Sequence, residues 1–180
     1  MATYFKTMNS PVGILKLSSD ELHLKAISFD AQYLDEETDV PEILIIAQNQ
    51  LEEYFSGNRQ QFDLSIEPDG TVFQHRVWKE VAAVGFGSTQ SYGQIAQILG
   101  SENFSRAVGM ANGKNPLPII IPCHRIIGNN GKLTGYAGGL ERKKWLLLHE
   151  RQCSGNDGLF SINKNWIRNI LLLEMLFIIA

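Results

Sequence analysis

Three of the chain's six prolines fall within residues 116–122. Proline lacks a backbone N–H and clashes with the preceding helical turn, so this segment cannot lie inside a helix. Between the prolines, residues 119–121 form an Ile-Ile-Ile run that predicts a short buried stretch. Cys123, His124 and Arg125 follow directly. The segment therefore predicts a rigid, apolar lead-in that holds a cysteine and a histidine at a fixed place.

Cys123 beside His124 is a candidate nucleophile with its own base. A thiol near its reference pKa of about 8.5 is only a few per cent thiolate at neutral pH, so it needs a base or a cationic field. His124 can take the proton directly or through a water, and a carboxylate such as Glu150 can orient it. The competing interpretation is packing, because free cysteine often fills apolar cores.

Two cysteines, Cys123 and Cys153, are too few for a disulfide framework and indicate a reducing compartment. The sequence has no Cys-x-x-Cys pair, and its other histidines lack metal-ligand spacing, so no metal site is expected: His23, His75 and His149. No positively charged start followed by an apolar stretch is seen at the first residues, so no secretory signal is expected. Residues 170–180 are apolar except for Glu174 but are too short to span a bilayer, which needs roughly 20 residues.

The net charge of −3 averages over two unlike parts of the chain. Residues 1–71 hold four basic and thirteen acidic side chains, whereas residues 72–152 hold ten basic and four acidic ones. Such an asymmetry indicates a basic working surface confined to the second part, which suits a nucleic-acid partner; a solvated helix face is the alternative. Composition otherwise matches a globular protein and excludes collagen-like, disordered and disulfide-scaffold classes.

The first third of the chain predicts strands followed by a helix. Alternating apolar residues at 14–18 and 22–29 predict a hairpin with a tight turn at 19–21, and residues 35–39 predict an exposed acidic loop. Pro41 predicts the first position of a helix that Gly57 ends. The apolar face expected for this helix is Ile43, Ile46, Ala47, Leu51 and Phe55. This small α/β module shows no evident chemistry of its own.

The middle of the chain predicts helices. An apolar repeat begins after Thr71, and glycines at 85 and 87 end it. The Ser91-x-x-Gln94 spacing predicts a capping box, a short helix follows it, and a second helix runs from about residue 104 to 112. Two short helices across a turn that contains Gly100 are a helix-turn-helix candidate, although helical hairpins without DNA contacts are common.

The last helix is predicted over residues 140–152. Trp145 and Leu148 are candidates for its buried side. Arg142, Lys143 and Glu150 are expected on its polar side.

The segment Asn115-Pro-Leu-Pro-Ile-Ile-Ile-Pro-Cys-His-Arg-Ile-Ile-Gly128 resembles the active-site signature of the O6-alkylguanine-DNA alkyltransferases. The resemblance covers residues 72–151 closely and residues 1–71 more loosely. It implies an α/β, ribonuclease H-like N-terminal domain over 1–71 and a mainly α-helical C-terminal domain with a helix-turn-helix over 72–152. Residues 153–180 would be a C-terminal extension of unknown role.

The family resemblance also implies the activity. The thiolate takes the alkyl group from O6 of guanine in DNA, and also from O4 of alkylated thymine, in one irreversible transfer that needs no cofactor. The implied partner is double-stranded DNA, met by a monomer in the cytoplasm of a bacterium or in the nucleus of a eukaryote. The alternative is a non-catalytic protein that binds alkylated DNA; such relatives lack the acceptor cysteine, which is present here as Cys123.

Five residues carry the catalytic roles that the resemblance implies. Cys123 is the acceptor, and His124 is the base that draws the thiol proton through a water. Glu150 polarises that histidine. The remaining two are Asn115, which braces the network, and Tyr92, which donates a proton to the leaving base.

The resemblance implies a further set of residues for DNA and for the alkyl group. Arg106 would fill the gap that the flipped base leaves, while Ala107 and Gly109 would let the helix approach the minor groove, with Tyr92 beside them. The alkyl pocket would be lined by Tyr136, Gly138 and Pro118. No zinc is expected, because the N-terminal part has only scattered histidines.

Overall fold

The computed structural model describes residues 2–29, 31–32 and 40–155. The predicted acidic loop at 35–39 and the apolar segment at 170–180 lie outside these residues. The first part is an antiparallel sheet in the order β1-β2-β3 with one helix packed on it. Its elements are β1 (Tyr4–Met8), β2 (Leu15–Ser19), β3 (Leu24–Ser28) and α1 (Glu42–Phe55).

The hairpin predicted from the alternating pattern is present as β2 and β3. Leu17 pairs with Ile27, and the register shifts between Ser18 and Ser19. The side chain of Asp20 holds the turn, since its Oδ1 accepts backbone N–H bonds at 2.8 and 2.7 Å. The first strand, β1, was not predicted, because its residues do not alternate between apolar and polar and the adjacent Thr7 and Met8 are both buried.

Helix α1 forms where Pro41 and Gly57 predict it, with small differences. Pro41 is the N-cap rather than the first helical residue, and Gly57 follows the helix with a φ of +81°. Leu44 and Leu51 are fully buried, but Ile46, expected on the apolar face, is 38% exposed. The buried stripe is therefore rotated slightly toward Leu44 and Tyr54.

The second part is mainly helical, as predicted. Its elements are α2 (Val72–Ala82), β4 (Gln90–Ser91), α3 (Tyr92–Ile98), a 3₁₀ turn (Glu102–Phe104), α4 (Ser105–Gly113), a 3₁₀ turn (Cys123–Arg125), β5 (Ile126–Ile127) and α5 (Leu140–Cys153). The capping box at Ser91 and Gln94 is present, and a second one opens α2 at Thr71. Helices α3 and α4 pack on each other across the turn at Gly100, as the helix-turn-helix prediction requires.

Helix α5 forms where it is predicted, but the prediction of which side chains it buries is wrong. Lys143 and Glu150 are both fully buried, and Trp145 and Leu148 are only half-buried. The reason is that both charged groups find partners inside the protein, which a helical pattern cannot reveal. Leu146 supplies the buried apolar contact instead.

The two parts share backbone and side-chain contacts around the active-site segment. The N–H of Ile27 donates to the carbonyl of Pro116 at 2.8 Å. Arg142 on α5 donates through Nε to the carbonyl of Val12 at 2.7 Å. The N-terminal sheet therefore contacts the proline-rich segment through β3, and the loop before β2 contacts α5. Among the described residues, no helix is long and apolar enough to cross a membrane.

Candidate active site

Cys123 lies at the start of a single 3₁₀ turn, Cys123–Arg125, directly after the proline-rich segment. It is 5% exposed. Burial raises the pKa of its thiol to about 11, although the side chain of Asn115 and the charge of Lys143 act in the opposite direction. At rest the thiol is therefore protonated, and a base must take its proton before it can react.

Asn115 pins the segment that leads to the cysteine. Its Nδ2 donates to the carbonyl of Ile121 at 2.8 Å, and its Oδ1 accepts from the N–H of Leu117 at 3.0 Å. One amide side chain thus holds two points of a proline-rich loop that cannot form its own helix. Both contacts lie within the proline-rich segment, and the expected role of Asn115 in bracing the catalytic network stays a prediction.

The isoleucine run is a tight turn rather than a simple extended stretch. Ile119 has a φ of +76°, which is unusual for a β-branched residue, and the N–H of Ile121 donates to the carbonyl of Leu117 at 2.8 Å. Such a conformation costs about 1–3 kcal/mol and persists only where the surroundings impose it. Because Ile119 is 1% exposed, the core holds the turn in place.

His124 is fully buried, and its tautomer follows from its partner. Nε2 lies 2.7 Å from Oε1 of Glu150, so this nitrogen carries the proton and donates it to the carboxylate. Nδ1 is then the basic nitrogen, and it has no hydrogen-bond partner among the described residues. Burial lowers the pKa of His124, while Glu150 raises it. His124 is thus a neutral imidazole with one nitrogen free to accept a proton.

Glu150 is the centre of the buried network, here called the Glu150 cluster. Burial alone would raise the pKa of its carboxyl, but the hydrogen bonds and charges of His124 and Arg125 lower it to about 2. Oε2 accepts from Arg125 Nε at 2.9 Å and from the N–H of Gly87 at 3.1 Å. Oε1 accepts from three side chains: His124 at 2.7 Å, Arg125 at 2.9 Å and Tyr54 at 2.9 Å.

Three members of the Glu150 cluster were not assigned from the sequence. Arg125 has no role in the predictions, although its place directly after the candidate base His124 was a usable signal. For Gly87 the sequence predicts only a helix end. Its φ of +69° favours glycine, and so does the Ser154 side chain, which would lie 2.6 Å from a Cβ atom added at this position. Tyr54 lies 96 residues from Glu150 in the sequence, so no local pattern could find it.

Lys143 places a positive charge close to the cysteine. Its Nζ donates to the carbonyls of Ile126 at 2.6 Å and Thr134 at 2.9 Å. Burial lowers the pKa of Lys143 to about 8, and the neighbouring Cys123 acts to raise it. When Cys123 ionises, this ammonium therefore stabilises the thiolate.

Two of the residues expected to line the alkyl pocket, Tyr136 and Gly138, lie on the loop before α5. The third, Pro118, lies in the proline-rich segment. Tyr136 is half-buried, and its hydroxyl has no partner among the described residues. Gly138 lies against the Phe29 ring, so close that a Cβ there would come within 2.7 Å of it. Pro118 is buried in the proline-rich segment. Tyr92 donates to the carbonyls of Thr134 and Gly135, at 3.2 and 3.3 Å, and so contacts the same loop.

Three of the residues expected to touch DNA lie on α4, apart from the buried cluster, and the fourth, Tyr92, opens α3. Arg106 is exposed and Ala107 half-buried, and the backbone of Gly109 faces the Tyr92 ring. At the other end of the helix, Asn112 Nδ2 donates to the carbonyl of Cys123 at 3.2 Å. Helix α4 therefore connects an exposed face that carries Arg106 with the turn that carries the thiol.

Away from the Glu150 cluster, side-chain atoms of the kinds that bind metals come together at one place among the described residues. Asp20, His23 and Glu67 lie within 4.8 Å of one another. The ammonium of Lys25 already pairs with both carboxylates there, 3.1 Å from Asp20 Oδ2 and in contact with Glu67. These four residues, here called the Asp20 cluster, form an ion-pair network.

Comparisons with known proteins agree on one family for both parts of the chain. Residues 72–152 match the profile "6-O-methylguanine DNA methyltransferase, DNA binding domain", and residues 3–68 match the ribonuclease-like domain of the same family. A methylated-DNA–protein-cysteine methyltransferase of Methanosarcina acetivorans is 43% identical over 155 residues, which is 83% of this chain and 99% of the relative.

Two solved structures of the Mycobacterium tuberculosis O6-methylguanine methyltransferase are similar over most of the chain. One is 41% identical with a TM-score of 0.77 and covers 87% of this chain and 97% of the other. The second, a complex with DNA, is 43% identical with a TM-score of 0.75 and covers 83% and 93%.

Proposed function

Since this chain belongs to the 6-O-methylguanine DNA methyltransferase family, we propose that it repairs DNA by moving an alkyl group from O6 of guanine to the sulfur of Cys123. The observation that carries the proposal is the buried series of groups Cys123, His124 and Glu150, with a free basic nitrogen on the histidine. A protein that only bound alkylated DNA would need neither the thiol nor this base.

The chemistry begins with removal of the thiol proton. Nδ1 of His124 takes it through a bridging water, and the resulting imidazolium is stabilised by Glu150 through Nε2. Lys143 stabilises the thiolate that remains. The pair of imidazolium and thiolate is less stable at rest than the neutral imidazole and thiol, so the reactive thiolate forms only as the reaction proceeds.

The thiolate then attacks the alkyl carbon. A sulfur–carbon bond forms while the bond from that carbon to guanine O6 breaks, and the electron pair moves onto O6 and the ring nitrogens. A donor that strengthens as this charge develops lowers the barrier, and Tyr92 is the proposed donor. Its hydroxyl now binds the carbonyls of Thr134 and Gly135, which it would exchange for the guanine. The thioether product does not revert, so each molecule reacts once.

Helix α4 is the proposed contact between the DNA and the part of the protein that carries the thiol. Inside a duplex the O6 atom is inaccessible, so the guanine must leave the stack, at a cost of a few kcal/mol. Arg106, exposed on α4, is proposed to fill the gap, and the small residues Ala107 and Gly109 to allow close approach to the minor groove. Tyr136, Gly138 and Pro118 are proposed to enclose the alkyl group. Asn115 keeps the segment before Cys123 in place.

We further propose a monomer with a supporting domain over 1–71 and a DNA-binding and transfer domain over 72–152. Residues 153–180 would be an extension outside both. The cytoplasm of a bacterial or archaeal cell suits this protein, because a reducing compartment keeps Cys123 as a thiol. The charge distribution supports contact between DNA and the second domain, since its excess of basic residues can bind phosphates.

The proposal is tested by single-turnover transfer from an oligonucleotide duplex that contains O6-methylguanine. We expect guanine to appear in the DNA until one equivalent per protein has formed, and then to stop. Arg106→Ala should slow repair of the duplex more than reaction with the free base O6-benzylguanine. Continued turnover would contradict the proposed transfer to the protein, and equal losses on both substrates would contradict the role of Arg106.

A further inference from the structure

Tyr54 brings a group from the N-terminal domain into the catalytic network. It lies on α1, is fully buried, and donates its hydroxyl to Glu150 Oε1 at 2.9 Å. The same oxygen accepts the proton-bearing nitrogen of His124. Burial and the neighbouring Glu150 raise the pKa of Tyr54 well above its ordinary value, so the hydroxyl stays protonated and acts only as a donor here.

The surroundings of Tyr54 fix its position. Rings of Phe62, Phe86 and His149 lie with centroids 5.3 to 6.0 Å from its ring. His149 Nε2 also donates to the backbone carbonyl of Tyr54 at 2.7 Å. These contacts hold the ring in the position from which its hydroxyl reaches Glu150.

We propose that Tyr54 is a positioning residue for alkyl transfer, and that its hydrogen bond to Glu150 Oε1 limits how strongly this carboxylate attracts the proton of His124. A carboxylate oxygen that shares its negative charge among three donors binds each of them less strongly than one with two. Tyr54 therefore makes the imidazolium of His124 less stable. The inference rests on the proposed function, because it concerns the base of that reaction.

The consequence for a protein that reacts once is that its thiol stays protonated at rest. The other groups that face Glu150 are Arg125, which binds both carboxylate oxygens, and the N–H of Gly87. Lys143 acts on Cys123 from α5. None of these contacts is removed when the Tyr54 hydroxyl is deleted, so the carboxylate stays in place while its attraction for His124 increases.

The test measures the rate of the chemical step at saturating O6-methylguanine duplex from pH 5.5 to 9. The variants are Tyr54→Phe and, as a matched control from the same domain, Tyr4→Phe, whose hydroxyl does not contact Glu150. The rate falls on the acid side of the profile, where His124 is protonated by solvent and can no longer accept the thiol proton. Because Tyr54→Phe makes the imidazolium more stable, we expect the midpoint of this acid limb to shift upward by about 0.5 unit or more, with unchanged DNA affinity, and Tyr4→Phe to leave it unchanged.

A second replacement keeps the test independent of folding. Replacing Tyr54 by 3-fluorotyrosine makes the phenol a stronger donor and should shift the midpoint downward, opposite to Tyr54→Phe. An unshifted midpoint in both variants, or a loss of rate at every pH with the midpoint unchanged, would show that Tyr54 only packs and would overturn the inference. If the wild-type protein transfers no methyl group, the proposed function fails instead.

Discussion

The Glu150 cluster and the Asp20 cluster are built from the same kinds of residue but differ in burial. In the first, the carboxylate of Glu150 and the ring of His124 are fully buried. In the second, the side chains of Asp20 and Glu67 are 15% and 62% exposed. Water and salt screen the exposed pairs, whereas the buried carboxylate depends on every donor around it. Similar contacts therefore stabilise the protein very differently.

The largest expected effect of this difference is on stability. Arg125→Ala removes both guanidinium contacts from a buried carboxylate and should lower the free energy of unfolding by about 3 kcal/mol or more. Lys25→Ala in the Asp20 cluster should lower it by less than about 1 kcal/mol. Urea unfolding of both variants measures the two changes. Equal losses would show that burial does not distinguish the clusters.

The next effect is on the reaction rate. Glu150→Gln keeps the shape of the side chain but removes the charge that stabilises the imidazolium of His124. We expect the chemical step to slow by about 100-fold or more, within the range typical of acid–base catalysis. Glu67→Gln, the same change in the Asp20 cluster, should leave the rate within about twofold. Single-turnover transfer at saturating DNA measures both, and a wild-type rate in Glu150→Gln would exclude the proposed network.

A third effect, seen only in acid, separates the clusters by pH. The pKa of Glu150 is lowered to about 2 in the folded protein, so its contribution is present above its unfolded value of 4.5. As pH falls from 4.5 toward 2, the folded protein should lose stability on the order of 3 kcal/mol from this group. Measured by unfolding at each pH, this loss should be absent in Glu150→Gln and retained in Glu67→Gln. The same slope in wild type and Glu150→Gln would contradict it.

The sequence predicted the parts of the site that local chemistry determines. Prolines around residues 119–121 excluded a helix and pointed to Cys123, and the Ser91 spacing located the start of α3. It could not predict that Lys143 and Glu150 are buried, because their partners come from other elements. Tyr54 was likewise hidden, since its hydroxyl meets Glu150 only after the two domains pack. The strand β1 was missed because its residues do not alternate between apolar and polar side chains.

Cys123 and Cys153 allow the most direct test of the central claim, because each lies beside a histidine. Cys153 Sγ is 3.9 Å from His149 Nδ1, but the other nitrogen of that histidine donates to the backbone carbonyl of Tyr54 rather than to a carboxylate. After incubation with duplex DNA containing O6-methylguanine, intact-mass analysis and peptide mapping should show one added methyl group on Cys123. The gain should disappear in Cys123→Ser and persist in Cys153→Ser. A methyl group on Cys153, or repair by Cys123→Ser, would contradict the account.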